Sequence, residues 1–154
     1  MIKITRTDSD NADFRYLVSL LDRDLQTRDG DEHSFYAQFN KLDKINHAVV
    51  AYKEGSPAGS GALRAFTTDS AEIKRMFVLS GYRGQGIAKI VLAELEAWAK
   101  ELNFTTCILE TGKKQPEAVN LYQKAGYVLF PNYGQYKNIE NSICMKKVIG
   151  ENVN

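Results

Sequence analysis

Ala71-Glu72-Ile73-Lys74-Arg75-Met76-Phe77-Val78 is an apolar, strand-like run, and Arg83-Gly84-Gln85-Gly86-Ile87-Ala88 follows it at the start of an amphipathic helix. A tight turn with two glycines and an arginine, set where a strand feeds a helix, suits phosphate groups. Gly84 and Gly86 lack a Cβ, so the backbone can bend sharply and an anion can approach its N–H groups. The first N–H groups of a helix have no partner within it, and the helix dipole places partial positive charge there. Arg83 adds a fixed cation with several donors. A diphosphate is the natural guest of such a site.

Outward from this turn, the periodicities predict the remaining elements. Ala88, Val91, Leu92, Leu95, Trp98, Ala99 and Leu102 form one broad apolar stripe, with Lys89, Glu94, Glu96 and Lys100 on the other side. Upstream, Ile2 and Ile4 suggest a short first strand. Phe14, Leu17, Val18, Leu21 and Leu25 recur at helical spacing from near Ser9 to near Gln26. Arg28-Asp29-Gly30-Asp31 is a breaker, and Phe35, Tyr36, Phe39 and Leu42 predict a second, shorter helix. His47–Tyr52, a turn at 53–57 and Ala58–Phe66 predict a hairpin. Thr67-Thr68-Asp69 turns the chain into Ala71–Val78, which completes an antiparallel meander. Downstream, Thr105–Glu110 reads as a strand covered on both faces. Pro116 opens a helix that Gly126 caps. Tyr127–Phe130, a turn at 131–134 and the strand Ser142–Val148 close the chain.

The order is β, α, α, β, β, β, α, β, α, β, β. The strand–helix–strand step between Ala71 and Glu110 predicts a parallel pair through a right-handed crossover. The class is a mixed α/β sheet with helices on both faces. It is not a doubly wound dinucleotide fold, because the glycine turn follows a hairpin rather than opening the chain.

A chain of 154 residues supports one domain, taken as 1–154. Twenty basic residues against 19 acidic ones argue against nucleic-acid binding while leaving room for one local anion site. Cys107 and Cys144 sit singly in apolar segments. Buried free thiols in a reducing cytoplasm are the expectation, and two cysteines with two scattered histidines argue against a metal site. No apolar run approaches membrane-spanning length, and the N-terminus lacks the apolar core of a signal peptide. The expected location is therefore cytoplasmic, with no membrane partner.

Arg83-Gly84-Gln85-Gly86-Ile87-Ala88 matches the Q/R-x-x-G-x-G/A signature of the GCN5-related N-acetyltransferases (GNAT), and the chain resembles that family. Gln115-Pro-Glu-Ala-Val-Asn-Leu-Tyr122-Gln-Lys-Ala-Gly126-Tyr127 is similar to its N-x-x-A-x-x-L-Y-x-x-x-G-F segment, and the Met-Phe-Val78 strand end agrees. A lone G-x-G carries little weight; two motifs at family-like separation in the right element order carry much more. The specific motifs lie within Glu72–Tyr127, and the first 70 residues match only in pattern. The resemblance implies a mostly antiparallel sheet whose central parallel pair splays into a V. It also implies acetyl-CoA as co-substrate and direct attack by a primary amine in a ternary complex. The acceptor would be a small molecule, an amino-acid-like compound or a peptide amine. Homodimerisation through the final strands is common in the family.

The chemistry then asks for particular groups. Near pH 7 only roughly one in a thousand unperturbed lysine-type amines is neutral, so the enzyme binds that form or supplies a base. A developing oxyanion needs donors, and the departing thiolate needs an acid. The resemblance makes Tyr122 that acid, although Ala118, Leu121, Tyr122 and Ala125 also form an apolar face of the kind that is usually core. By the same resemblance the oxyanion donor is a main-chain N–H near Phe77 or Val78, at a bulge that frees ladder groups for the cofactor. Glu72 and Glu110 are the candidate bases. Either could instead anchor a cationic amine or pair with Lys74 or Arg75. His47 has a suitable pKa range but lies well before the motif. Arg83, Gly84, Gln85, Gly86, Ile87, Ala88 and Lys89 are the expected cofactor contacts, with Lys89 facing phosphate or solvent. Gln115 stands where the family has asparagine; it reaches the cofactor with one more methylene, or Asn120 takes a polar role. The segments Asn132–Tyr136 and Arg28–Glu32 are candidates for the acceptor side or ordinary connections. The alternatives are a non-catalytic acetyl-CoA sensor, against which the retained Tyr122 argues, and a structural protein that recruits a partner through the final strands, which CoA binding would separate.

Overall fold

The computed structural model describes residues 1–29 and 44–150. In chain order the elements are β1 (Ile2–Thr7), α1 (Ala12–Asp29), β2 (His47–Lys53), β3 (Ser56–Ala65), β4 (Ser70–Val78), α2 (Ile87–Glu101), β5 (Thr106–Gly112), α3 (Pro116–Lys124), β6 (Val128–Phe130) and β7 (Ser142–Val148). The predicted second helix at Phe35–Leu42 lies outside the described residues. The strands form one sheet in the order β1-β2-β3-β4-β5-β7-β6. Every neighbouring pair is antiparallel except β4 and β5. That is the mixed sheet with a central parallel pair that the element order predicts.

The helices cover both faces. Val91, Leu92, Leu95 and Ala99 of α2 are buried in one core layer with Val49, Leu63, Ile73 and Leu109, and Tyr122 of α3 joins them. Burying each large aliphatic side chain contributes roughly 1.5–3 kcal/mol. The helix lies very close to β3: a Cβ at Gly61 would sit 2.6 Å from Leu95 Cδ1 and 2.8 Å from Val91 Cγ1. Glycine is required there for that approach. On the other face Phe14, Leu17, Val18 and Leu21 of α1 pack with Ala48, Val50, Ala62 and Phe77. Asn11 starts α1 by accepting the Phe14 N–H at 2.9 Å, a side-chain cap.

Two features of β4 open the sheet at its centre. Parallel pairing with β5 runs from Ser70↔Thr106 to Ile73↔Leu109 and stops, although β4 continues to Val78 and β5 to Gly112. The two strands therefore diverge. Opposite β3 the register passes from Ala62↔Lys74 to Ser60↔Phe77, so one residue too many is fitted into β4. Arg75 takes it up at φ +59°, a left-handed conformation uncommon for a non-glycine residue. The buried Ser60 hydroxyl donates to the Arg75 carbonyl at 3.0 Å and holds the bulge. The extra residue changes the face alternation: Ala71 and Ile73 lie in the α2–α3 layer, and beyond the bulge so do Met76 and Val78. The bulge at Arg75 thus falls two to three residues before the expected Phe77–Val78 position.

Candidate active site

The divergence of β4 and β5 leaves two connected cavities beneath α1 and α3. The larger, ≈ 360 Å³, is lined by the end of β4, the glycine turn, the start of α2 and one side of α3. The smaller, ≈ 110 Å³, runs back along β4 and β5 and includes Glu72, Lys74, Glu110 and Tyr136. Met76, Gln115, Ala118 and Tyr122 line both.

The turn has the conformation its glycines permit. Gly84 and Gly86 have φ +79° and +80°, and a Cβ on either would meet no protein atom within 4 Å, so open space lies above the backbone. Gly86 occupies the N-cap of α2 without any side-chain cap. The main-chain bond that links the helix back to the turn is Ile90 N–H to Gly86 O, 3.1 Å. The amides of the first turn therefore stand ready for an external anion. Arg83 donates from Nε to Val78 O at 2.9 Å, and its guanidinium lies 5.8 Å from the centre of the Phe77 ring. That bond ties the turn to the strand end while the cation lines the cleft. This open cradle, uncapped among the described residues, fits a diphosphate-bearing cofactor.

The end of β4 supplies a second kind of donor. Leu79 N–H bonds Ala58 O at 2.8 Å. Counting back by the two-residue period of an antiparallel ladder, the polar main-chain groups of Phe77 turn toward β3 and those of Val78 toward the gap. The Arg83 bond to Val78 O agrees with this. The gap between β4 and β5 is an unpaired strand edge, of the sort an extended amide-bearing chain can join.

Tyr122 is buried at the wall the two cavities share. Burial, and secondly the Glu110 charge, push its phenol well above the usual tyrosine range, so it holds its proton at neutral pH. Its backbone is fixed as well. Tyr127 N–H bonds Tyr122 O at 2.9 Å and Gly126 N–H bonds Gln123 O at 3.1 Å, with Gly126 at φ +101°. This is the Schellman closure expected of that glycine.

The two glutamates differ sharply. Glu72 is 1% exposed; it accepts Arg64 Nε at 2.9 Å and Tyr133 Oη at 2.7 Å. Burial and the adjacent Glu72 carboxylate raise the Tyr133 phenol strongly, so it stays a donor. Glu110 is half-buried and accepts the Ser142 hydroxyl at 2.7 Å. Both line the smaller cavity.

Among the other predicted positions, Phe77, Val78, Gly84, Gly86, Ile87, Ala88, Lys89 and Gln115 line the larger cavity. The Gln85 side chain instead accepts a hydrogen bond from Lys53, and Asn120 is exposed and absent from both linings. His47 packs edge-on against Trp98, 4.8 Å between ring centres. In the polar aromatic loop, Tyr136 lines the smaller cavity and Tyr133 holds Glu72. Of the segment 28–32, residues 30–32 lie outside the described residues. Sequence reasoning missed Ser60, the Arg75 bulge and the α1 wall formed by Leu21 and Asp24. The available signal was three charged residues, Glu72, Lys74 and Arg75, in a strand otherwise largely apolar, with Glu72 and Lys74 two apart and so on one face.

Comparison with known proteins agrees with this geometry. Residues 14–127 match the profile of the Acetyltransferase (GNAT) family. An uncharacterised Bacillus subtilis protein, YyaT, is 29% identical over 77% of this chain and 76% of its own length. An IAA acetyltransferase of Azospirillum brasilense is 33% identical over 64% of this chain and 65% of its own. The fold of an acyl-CoA N-acyltransferase candidate from Klebsiella pneumoniae superposes with TM-score 0.82 at 28% identity, covering 97% and 99% of the two chains. PaiA N-acetyltransferase from Thermoplasma acidophilum, solved with coenzyme A, has TM-score 0.73 at 17% identity over 96% and 99%. Among the described residues no helix is long and apolar enough to cross a membrane. With a family-profile match that spans both motifs and a fold shared over nearly its whole length with a solved relative, this chain belongs to the GNAT family of acetyltransferases.

Proposed function

We propose that this single-domain chain acetylates a primary amine, small-molecule or peptide, with acetyl-CoA as co-substrate and by direct attack in a ternary complex. The observation that carries the proposal is the meeting of the two cavities at Tyr122, beside the unpaired edge of β4. One cavity has an uncapped helix start for a diphosphate, and the other has carboxylates for an amine. Acetyl-CoA supplies a thioester: starting from the ammonium form, one proton is released, the amine nitrogen bonds to the acetyl carbon, the carbon–sulfur bond breaks, and an amide and a thiol result.

The residues divide the work. The amides of Gly84, Gln85, Gly86, Ile87 and Ala88 bind the diphosphate, with Arg83 and Lys89 adding charge. Gln115 binds the cofactor arm from α3; the exposed position of Asn120 argues against its sharing that contact. The Val78 N–H points along the gap toward the carbonyl to be attacked, while Phe77 holds the strand end by packing against α1. Tyr122, kept protonated, donates to the leaving sulfur. Glu110 takes the amine or its proton, because it is half-buried and held by the neutral Ser142 hydroxyl, whereas Glu72 is fully enclosed and held by Arg64 and Tyr133.

Calorimetry with CoA, followed by thiol release from acetyl-CoA against an amine panel, tests the proposal. Micromolar CoA binding and amine-dependent thiol release are expected. CoA binding without thiol release from any amine would turn the reading to a sensor, and no CoA binding would remove it.

A further inference from the structure

The smaller cavity holds a cation that the chemistry above does not use. Lys74 has a side chain 10% exposed, yet among the described residues its Nζ makes no hydrogen bond. The nearby Glu72 Oε1 is 3.8 Å away, beyond hydrogen-bond reach, and is already bonded to Arg64. An ammonium has three donors and no acceptor. Leaving them unmet in a buried site is costly, and among the described residues Lys74 has only the 3.8 Å ion pair with Glu72, so such a group calls for a further acceptor. Burial also lowers the Lys74 pKa, as expected of a charge short of acceptors. Arg75, with its side chain 3% exposed and 3.8 Å from Asp22, brings a second cation to the same wall.

We infer that the acceptor amine carries a carboxylate, and that Lys74 binds this carboxylate while the amine lies toward Tyr122 and Glu110. The inference rests on the acetyltransferase reading above and narrows its substrate class to small amino carboxylates. Three arguments support it. A carboxylate provides acceptors and the opposite charge in one planar group. The cavity is small, ≈ 110 Å³, which suits the compact end of an amino acid better than a folded partner. Its lining pairs cationic Lys74 and Arg75 with the Glu110 carboxylate, the polarity a zwitterion requires.

The test compares amino acids with their carboxamides, which keep the amine and lose the charge. Thiol release is measured across both sets for the wild type, Lys74→Met and Lys74→Arg, and CoA affinity is measured for each protein. Binding of the N-acetyl derivative of the favoured amino acid to the CoA complex is followed by calorimetry. Expected is a wild-type preference for the amino acid of tenfold or more, residing mainly in KM. That preference falls toward one in Lys74→Met and returns in part in Lys74→Arg. Binding of the N-acetyl derivative weakens in parallel, with CoA affinity unchanged. A wild type that binds CoA but favours the amides, or acetylates no carboxylated amine, overturns the inference and leaves the acetyltransferase reading intact. So does a Lys74→Met protein with an undiminished preference. Loss of CoA binding in the wild type would instead overturn both readings.

Discussion

Replacing Gly86 separates the mechanical role of the glycine turn from its binding role. In Gly86→Ala the new Cβ meets no protein atom within 4 Å, so no clash is created. The backbone at φ +80°, ψ 11° is left-handed, however, and costs an L-residue roughly 1–2 kcal/mol. For a protein of this size that lowers Tm by about 2–8 °C. The same Cβ enters the open space above the first-turn amides, where the diphosphate is proposed to lie. Displacing one charge-assisted hydrogen bond of about 1.5–3 kcal/mol weakens CoA binding roughly 10- to 150-fold. Gly86→Glu adds a negative charge near another. At about 4 Å the repulsion is on the order of 1–4 kcal/mol for an effective dielectric between that of water and that of a protein surface. Binding should then fall below calorimetric detection. Scanning calorimetry and CoA titration on the same preparations read the two effects separately. A Tm loss of the expected size with CoA affinity within twofold of wild type would refute the assignment of the diphosphate to this turn.

Tyr122→Phe keeps the ring contact with Tyr127 and removes the proposed proton donor, so kcat should fall about 10²- to 10⁴-fold with CoA affinity held. An equal loss in both, seen by single-turnover kinetics and titration, would make Tyr122 a packing residue. Ser60→Ala leaves the Arg75 carbonyl without its buried donor, a loss of about 1–3 kcal/mol, and should reduce turnover as the bulge relaxes; denaturant unfolding with the thiol-release assay reads both. Burial pushes the Cys107 and Cys144 thiols up to about 12 and about 11, so both should resist thiol reagents at pH 8 until the chain unfolds. Because these folded values lie above the unfolded 9.0, the stability they contribute is full below pH 9 and lost as pH rises through 11 to 12. A urea series across that range should show the midpoint falling, and replacing both cysteines by alanine should flatten that part of the profile.

Among the described residues, the chain order of elements, the parallel β4–β5 step, the glycine turn and the Gly126 closure were legible in the sequence. Each rests on a local pattern: apolar periodicity, left-handed φ, or proline at a helix start. Boundaries moved by a few residues, as where α1 runs to Asp29 rather than Gln26, because a helix end depends on caps and contacts as well as on the stripe. The role of Tyr122 came from a motif, and its position on the wall between two cavities is the geometric support for it.

The amino-acid order alone determined that a strand would deliver a phosphate-suited turn to the head of an amphipathic helix, since neighbours along the chain set those conformations. Only the tertiary structure decided where β4 bulges, which partners hold each glutamate, and that among the described residues Lys74 is enclosed without a hydrogen bond. Those outcomes depend on Ser60, Arg64 and Tyr133, which reach β4 from β3 and from a loop 61 residues beyond Glu72. Burial and charge pairing are made by groups distant in the chain, and no local pattern encodes them.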